Sequence, residues 1–195
     1  MTDNSSHNMQ EPNWQNCSEE ELWYYVGWHL ESAGISSTLV GGAVVAIYTE
    51  GLYRSGDLDL ISETLNRQKL VSILQGIGFN ETKSRYFKHP ECHHLFLEFP
   101  PGPVEIGREY PIEPAEVEVM GQKLKLLSPT DSVKDRLASY VYWQSRANFD
   151  QAVLICLRQE ERIQYDKVEA WCQSEGHASV YQELVEAITR EKNIE

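Results

Sequence analysis

Two aspartates one residue apart, Asp57 and Asp59, sit in the otherwise apolar run "DLDLI". Side chains alternate across a strand, so the aspartates share one face while Leu58 and Leu60 share the other. The aspartate Cα atoms are then about 7 Å apart, close enough for both carboxylates to reach one ion. Ionised carboxylates in apolar surroundings carry a large desolvation penalty unless a cation pairs with them. Mg²⁺ suits such a pair, because it prefers oxygen ligands and keeps coordination positions open for phosphate. Without it, the like charges repel and one carboxyl tends to keep its proton. Turns and solvated strands carry the same tripeptide, so the pattern gains meaning only from its surroundings.

Upstream, "STLVGG" reads as a short strand ending at Gly41-Gly42, and "AVVAIYTE" as a helix closed by Gly51. Glycine lets a phosphate approach the backbone, and a helix N-terminus offers unpaired N–H groups and positive potential. A plain tight strand-to-helix turn accounts for the same two glycines. Arg54 or Ser55, just before the aspartates, could touch phosphate; Arg54 reads equally well as a solvated loop cation.

The stretch "GGAVVAIYTEGLYRSGDLDLI" resembles the nucleotidyltransferase-fold superfamily related to DNA polymerase beta: strand, Gly-Gly or Gly-Ser, helix, then a strand with D-x-D. It is most similar to the bacterial branch containing AbiEii-like toxins, in which an Arg-Ser or similar pair precedes the aspartates. The likeness covers residues 39–61 and extends loosely through the later strands and the helix "LSPTDSVKDRLASYVYW". Fourteen residues separate Gly42 from Asp57, slightly more than is common, which implies a longer helix or turn.

The resemblance implies a third carboxylate on a neighbouring strand. Glu98 is the choice, a lone acid among Leu95, Phe96, Leu97 and Phe99, although an edge-strand glutamate would look the same. Glu105, in the following loop, is the reserve. The implied mechanism is two-metal nucleotidyl transfer. Asp57 and Asp59 hold the Mg²⁺ that carries the NTP, and with Glu98 a second ion that activates an acceptor hydroxyl. Gly41 and Gly42 cradle phosphates. Lys134, and Arg136 beside it, are candidate phosphate ligands from a later helix, or surface charges paired with Asp131 or Asp135.

The elements that must position these groups alternate between helix and strand in the first half. "SEEE" at Ser18 is a capping box, and Leu22, Val26, Leu30 and Ala33 continue a helix. A helix over 65–77 and strands near 81–88, 94–99, 115–119 and 122–127 follow, the last two joined across Met120-Gly121. "PPGPVEIGREYPIEP", with five prolines and two glycines, should cross the surface as a loop. Ser128, Pro129 and Asp131 open a helix, and further helices are expected near 147–158, 165–174 and 178–191. The expected fold is α/β (α+β): a mixed sheet with flanking helices plus a C-terminal helical region. Residues 1–17 read as a flexible arm, 18–127 as the catalytic domain and 128–195 as the helical region. Trp23, Tyr24, Tyr25 and Trp28 read as packing residues rather than a base-stacking platform.

Composition is that of an ordinary globular chain, 41% hydrophobic and 24% charged. No apolar run reaches membrane-spanning length, and no basic segment opens the chain, so a cytoplasmic protein is expected. The formal charge of −13 speaks against broad DNA or RNA binding. Residues 1–35 and 159–195 carry −11 of it, an acidic pair of ends that would suit a basic protein partner such as a cognate antitoxin. The middle is nearly balanced, and Arg54, Arg67, Lys69, Lys83, Arg85, Lys88, Lys134 and Arg136 could form a local cationic surface. Four scattered cysteines without C-x-x-C spacing read as reduced thiols. His89, Cys92, His93 and His94 lack the second half of a zinc ligand set and read as a surface-facing loop.

Two functions compete. The first is an Mg²⁺-dependent nucleotidyltransferase moving an NMP to an RNA, protein or small-molecule hydroxyl, in a toxin-like role or another. The acidity would suit a cationic acceptor such as an aminoglycoside, although the sequence does not otherwise resemble the aminoglycoside adenylyltransferases. The alternative is a catalytically inactive member of the fold that binds nucleotide or a protein partner.

Overall fold

The computed structural model describes residues 9–62, 66–83 and 86–193. Arg85 and residues 1–8 lie outside that set. Among the described residues, seven α-helices, a short 3₁₀ turn and a seven-stranded mixed sheet make up the fold. Helix α1 (Glu19–Ser32) starts at the expected capping box: the Ser18 hydroxyl accepts from Glu21 N–H, while the Glu21 carboxylate accepts from Ser18 N–H at 2.8 Å. Strand β1 (Thr38–Val40) runs directly into α2 (Gly41–Tyr48), so the two glycines form the first turn of the helix rather than the end of the strand. The extra length before Asp57 lies in the turns after Tyr48, not in a longer helix.

Strand β2 (Asp57–Ile61) occupies the sheet centre, between β1 and β5 (Phe96–Glu98). Leu58 and Leu60 are completely buried, and they hold the strand by roughly 1.5–3 kcal/mol each. Helix α3 (Arg67–Gly76) returns the chain to β3 (Asn80–Glu81) and β4 (Phe87–Lys88), two short strands where one longer strand was expected. The hairpin β6 (Ala115–Val119) and β7 (Gln122–Leu126) completes the order β3-β4-β5-β2-β1-β7-β6. Parallel β2–β5 and β1–β7 pairs with antiparallel neighbours make the sheet mixed.

Helix α4 (Pro129–Trp143) is capped by Ser128, whose hydroxyl accepts from Asp131 N–H at 3.1 Å. It is followed by α5 (Arg146–Arg158), α6 (Tyr165–Ser174) and α7 (Ala178–Lys192). The proline-rich loop is tied to these helices, with Trp171 Nε1 donating to Ile106 O at 3.0 Å and Arg108 N to Glu175 Oε1 at 2.8 Å. Buried apolar side chains of sheet and helices form one continuous cluster.

Residues 9–17 differ from the expected loose arm. Trp14 and Cys17 are buried, and Trp14 stacks on His89 with ring centroids 3.7 Å apart. His89 and Cys92 are therefore buried too, and only His93 and His94 of that group face solvent as expected. Trp23 and Tyr25 pack in the core, and Tyr24 lies against it. Among the described residues, no helix is long and apolar enough to cross a membrane.

Candidate active site

Parallel pairing of β2 with β5 sets Asp59 opposite Glu98 and Asp57 opposite Phe96. Alternation then turns Asp57, Asp59 and Glu98 to a common face, all three partly buried. Carboxylate oxygens of the three lie within 4.8 Å of one another. Burial first, then the charges of Asp57 and Glu98, push the Asp59 carboxyl from 3.8 up to about 7; Arg136 pulls it the other way. The cation-free cluster therefore keeps a proton at Asp59 to far higher pH than an ordinary aspartate would.

Gly41 lies against this carboxylate. Its φ is +74°, and a Cβ there would fall 2.5 Å from Asp59 Oδ2. Backbone conformation and space both require glycine. A Cβ on Gly42 would meet Ser55 Oγ at 2.8 Å and Tyr53 Oη at 3.3 Å. Ser55 Oγ donates to Asp57 Oδ1 at 3.0 Å, which orients that carboxylate. The α2 N-terminus, capped by Val40 without a side-chain hydrogen bond, opens beside these groups.

Glu19 is a participant that the sequence did not single out. It is 2% exposed, accepting Ser55 N–H at 2.7 Å and Arg54 Nε–H at 3.1 Å. One buried carboxylate at the start of α1 thus fixes the turn leading into β2. A first-turn glutamate reads as a partner of the helix dipole, and nothing local to it announces a contact 36 residues away.

Lys134 is a different case. Its side chain is 2% exposed, and its ammonium is 2.6 Å from Glu109 and 2.7 Å from Asp131. It clamps the proline-rich loop to α4, and no contact joins it to the three carboxylates among the described residues. Arg136 is the cation of this helix whose charge reaches Asp59; it is itself bound to Asp135, with Asn148 at 3.3 Å. Arg54 and Arg67 are likewise paired, with Glu19 and Glu81, so the middle of the chain presents less free positive charge than its composition suggests. Glu105 is exposed on its loop and does not enter the cluster. A groove of about 590 Å³ lined by Glu19, Tyr48, Arg54, Gln159 and Arg162 contains none of the three carboxylates, so volume alone does not locate the site.

The donor set fits Mg²⁺. Three carboxylates supply hard oxygen ligands, their mutual repulsion is what a divalent cation relieves, and Gly41 leaves the adjoining space clear.

The architecture is that of the nucleotidyltransferase fold, and solved structures with this fold are similar to the chain. A nucleotidyltransferase-like antigenic protein from Paracoccidioides brasiliensis superposes with a TM-score of 0.53 at 18% identity, over 71% of this chain and 75% of that one. ANT(2")-Ia in complex with adenylyl-2"-tobramycin gives 0.51 at 16% identity, over 79% and 94%. The solution structure of ANT(2")-Ia, described as an antibiotic-resistance factor, gives 0.50 at 14%, over 87% and 94%. No protein-family model matches the sequence, and no curated protein does.

Proposed function

We propose that the protein is an Mg²⁺-dependent nucleotidyltransferase that moves the NMP of a nucleoside triphosphate onto an acceptor hydroxyl. The observation that carries this reading is the convergence of Asp57, Asp59 and Glu98 within 4.8 Å beside a helix start at which a side chain would collide with Asp59. Asp57 and Asp59 would hold the metal, and Glu98 would join them around a second ion. When bound, the metal offsets the triphosphate's negative charge and lowers the pKa of the acceptor hydroxyl.

The chain supplies the remaining parts. Gly41 and Gly42 open the first turn of α2 to phosphate oxygens, and Ser55 holds Asp57 in register. Arg54 and Ser55, fixed by Glu19, stand at the approach to β2 as phosphate contacts. Glu98 takes the proton of the acceptor hydroxyl. The freed oxygen forms a bond to the α-phosphorus, the bond from that phosphorus to its bridging oxygen breaks, and pyrophosphate leaves with the electron pair.

The net charge of −13 favours a cationic acceptor over RNA, because phosphate would be repelled. The fold likeness to ANT(2")-Ia, solved with adenylyl-2"-tobramycin, supports a small polyhydroxylated amine of that kind. A toxin-like acceptor, RNA or protein, is the other arm of the test.

Each labelled NTP is incubated with Mg²⁺ and, in turn, tobramycin, RNA and a protein mixture. The expected result is pyrophosphate release with label transfer to one acceptor class, both abolished in Asp57→Asn/Asp59→Asn. Nucleotide binding without pyrophosphate release across the screen would instead support a nucleotide-binding protein without turnover.

A further inference from the structure

Three residues after the two partners of the Trp14–His89 stack stand Cys17 and Cys92, part of a second donor set of different chemistry. Residues 9–17 are docked by that stack and by Trp14 against Phe79, and within the segment Cys17 N–H donates to Asn13 O at 2.8 Å. This sets Cys17, fully buried, beside Cys92, 3% exposed, and the exposed His94. Both cysteines are reduced thiols. One donor atom from each of the three lies within 4.8 Å of the other two.

We propose that Cys17, Cys92 and His94 bind a thiophilic divalent cation, Zn²⁺, which clasps the N-terminal segment to the lead-in of β5. The histidine geometry points to this. Its Nε2 lies 2.8 Å from Cys17 O, and a carbonyl can only accept, so Nε2 carries the proton. Nδ1 then presents its lone pair toward Cys92 Sγ, 3.8 Å away. A ligating histidine is commonly held in this way, its other nitrogen donating to a backbone carbonyl. With Zn–S near 2.3 Å and Zn–N near 2.0–2.1 Å, a tetrahedral site has S–N and S–S edges of about 3.6–3.8 Å. Cys92 Sγ and His94 Nδ1, 3.8 Å apart, stand within a few tenths of an ångström of the S–N edge. Three protein donors, with His94 on the solvent side, leave the fourth position to water. The sulfur and imidazole donors prefer Zn²⁺, whereas the oxygen-only cluster prefers Mg²⁺, so the two sites sort their ions by softness.

The full chain is reconstituted with Zn²⁺ under reducing conditions, freed of excess metal and analysed for zinc, with Co²⁺ used in parallel as a spectroscopic probe. The expected result is one equivalent of zinc and a cobalt spectrum showing thiolate charge transfer with tetrahedral d–d bands. Zinc affinity should fall by more than about tenfold in Cys17→Ser and in His94→Ala. His94 is exposed, so its truncation removes a ligand without disturbing the core. Asp57→Asn/Asp59→Asn should keep the zinc, which separates this site from the proposed catalytic one. No zinc uptake by the reduced protein, a cobalt spectrum without thiolate bands, or undiminished uptake in both single variants would overturn the proposal.

Discussion

Asp59→Asn should stabilise the cation-free protein at alkaline pH while abolishing transfer. In the folded state the Asp59 carboxyl titrates at about 7 rather than 3.8, so the folded chain keeps a proton that the unfolded chain releases. The stability this carboxyl contributes is therefore fully present below about pH 4 and is lost as pH rises through about 7. A rise of about 3 units at about 1.36 kcal/mol each sets a ceiling near 4 kcal/mol on that loss. An asparagine amide must still find hydrogen-bond partners, which reduces the net gain to about 1–3 kcal/mol. For a chain of this length, that is a rise in Tm of roughly 2–12 °C. Thermal unfolding in EDTA at pH 8 and pH 5 reads it directly, and the gain should shrink to less than half at pH 5. Added Mg²⁺ should raise the Tm of the wild type at pH 8 and leave the variant unmoved. A variant equally destabilised at both pH values, or one stabilised by Mg²⁺ as much as wild type, would refute the argument from crowded carboxylates.

Glu98→Gln keeps the shape but removes the proton acceptor, and single-turnover label transfer should slow by about 10²–10⁴-fold while the fold is retained by circular dichroism. Gly41→Ala forces a side chain into a left-handed backbone and against Asp59 Oδ2. Denaturant unfolding should show a loss of about 1–2 kcal/mol, and Mg²⁺ titration a weakened site. Lys134→Met leaves Asp131 and Glu109 without their shared cation; both carboxylates keep some solvent, so a loss of about 2–3 kcal/mol is expected, with the NTP dissociation constant unchanged. Glu19→Ala removes the acceptor of Ser55 N–H and Arg54 Nε–H, which should lower stability by about 2–3 kcal/mol and raise the KM for NTP more than it lowers kcat.

What was legible in the sequence was local. The period of two in "DLDLI", the capping box at Ser18 and the Ser128-Pro129 helix start are short-range patterns, and each reappears in the structure. What escaped depends on residues far apart along the chain. Glu19 reaches the turn before β2 only because α1 packs beside it, and a lysine in a charged helix gives no sign that two carboxylates will enclose it in the interior. The Cys92 and His94 pattern looked incomplete because its third donor arrives from Cys17, 77 residues before His94. Sequence spacing cannot show a ligand set that only docking of the N-terminal segment brings together. Nothing in the apolar pattern marks the reversal between the short β3 and β4 strands, so the sequence predicts a single strand there.

Because acids and leucines alternate along β2, sliding it by a single position would put two hydrocarbon side chains at the proposed metal face and two anions in the oil of the interior. A strand slipped by one position would therefore bring neither aspartate to that face. Loss of Mg²⁺ binding in a variant that keeps all three carboxylates would then report a central strand threaded out of line.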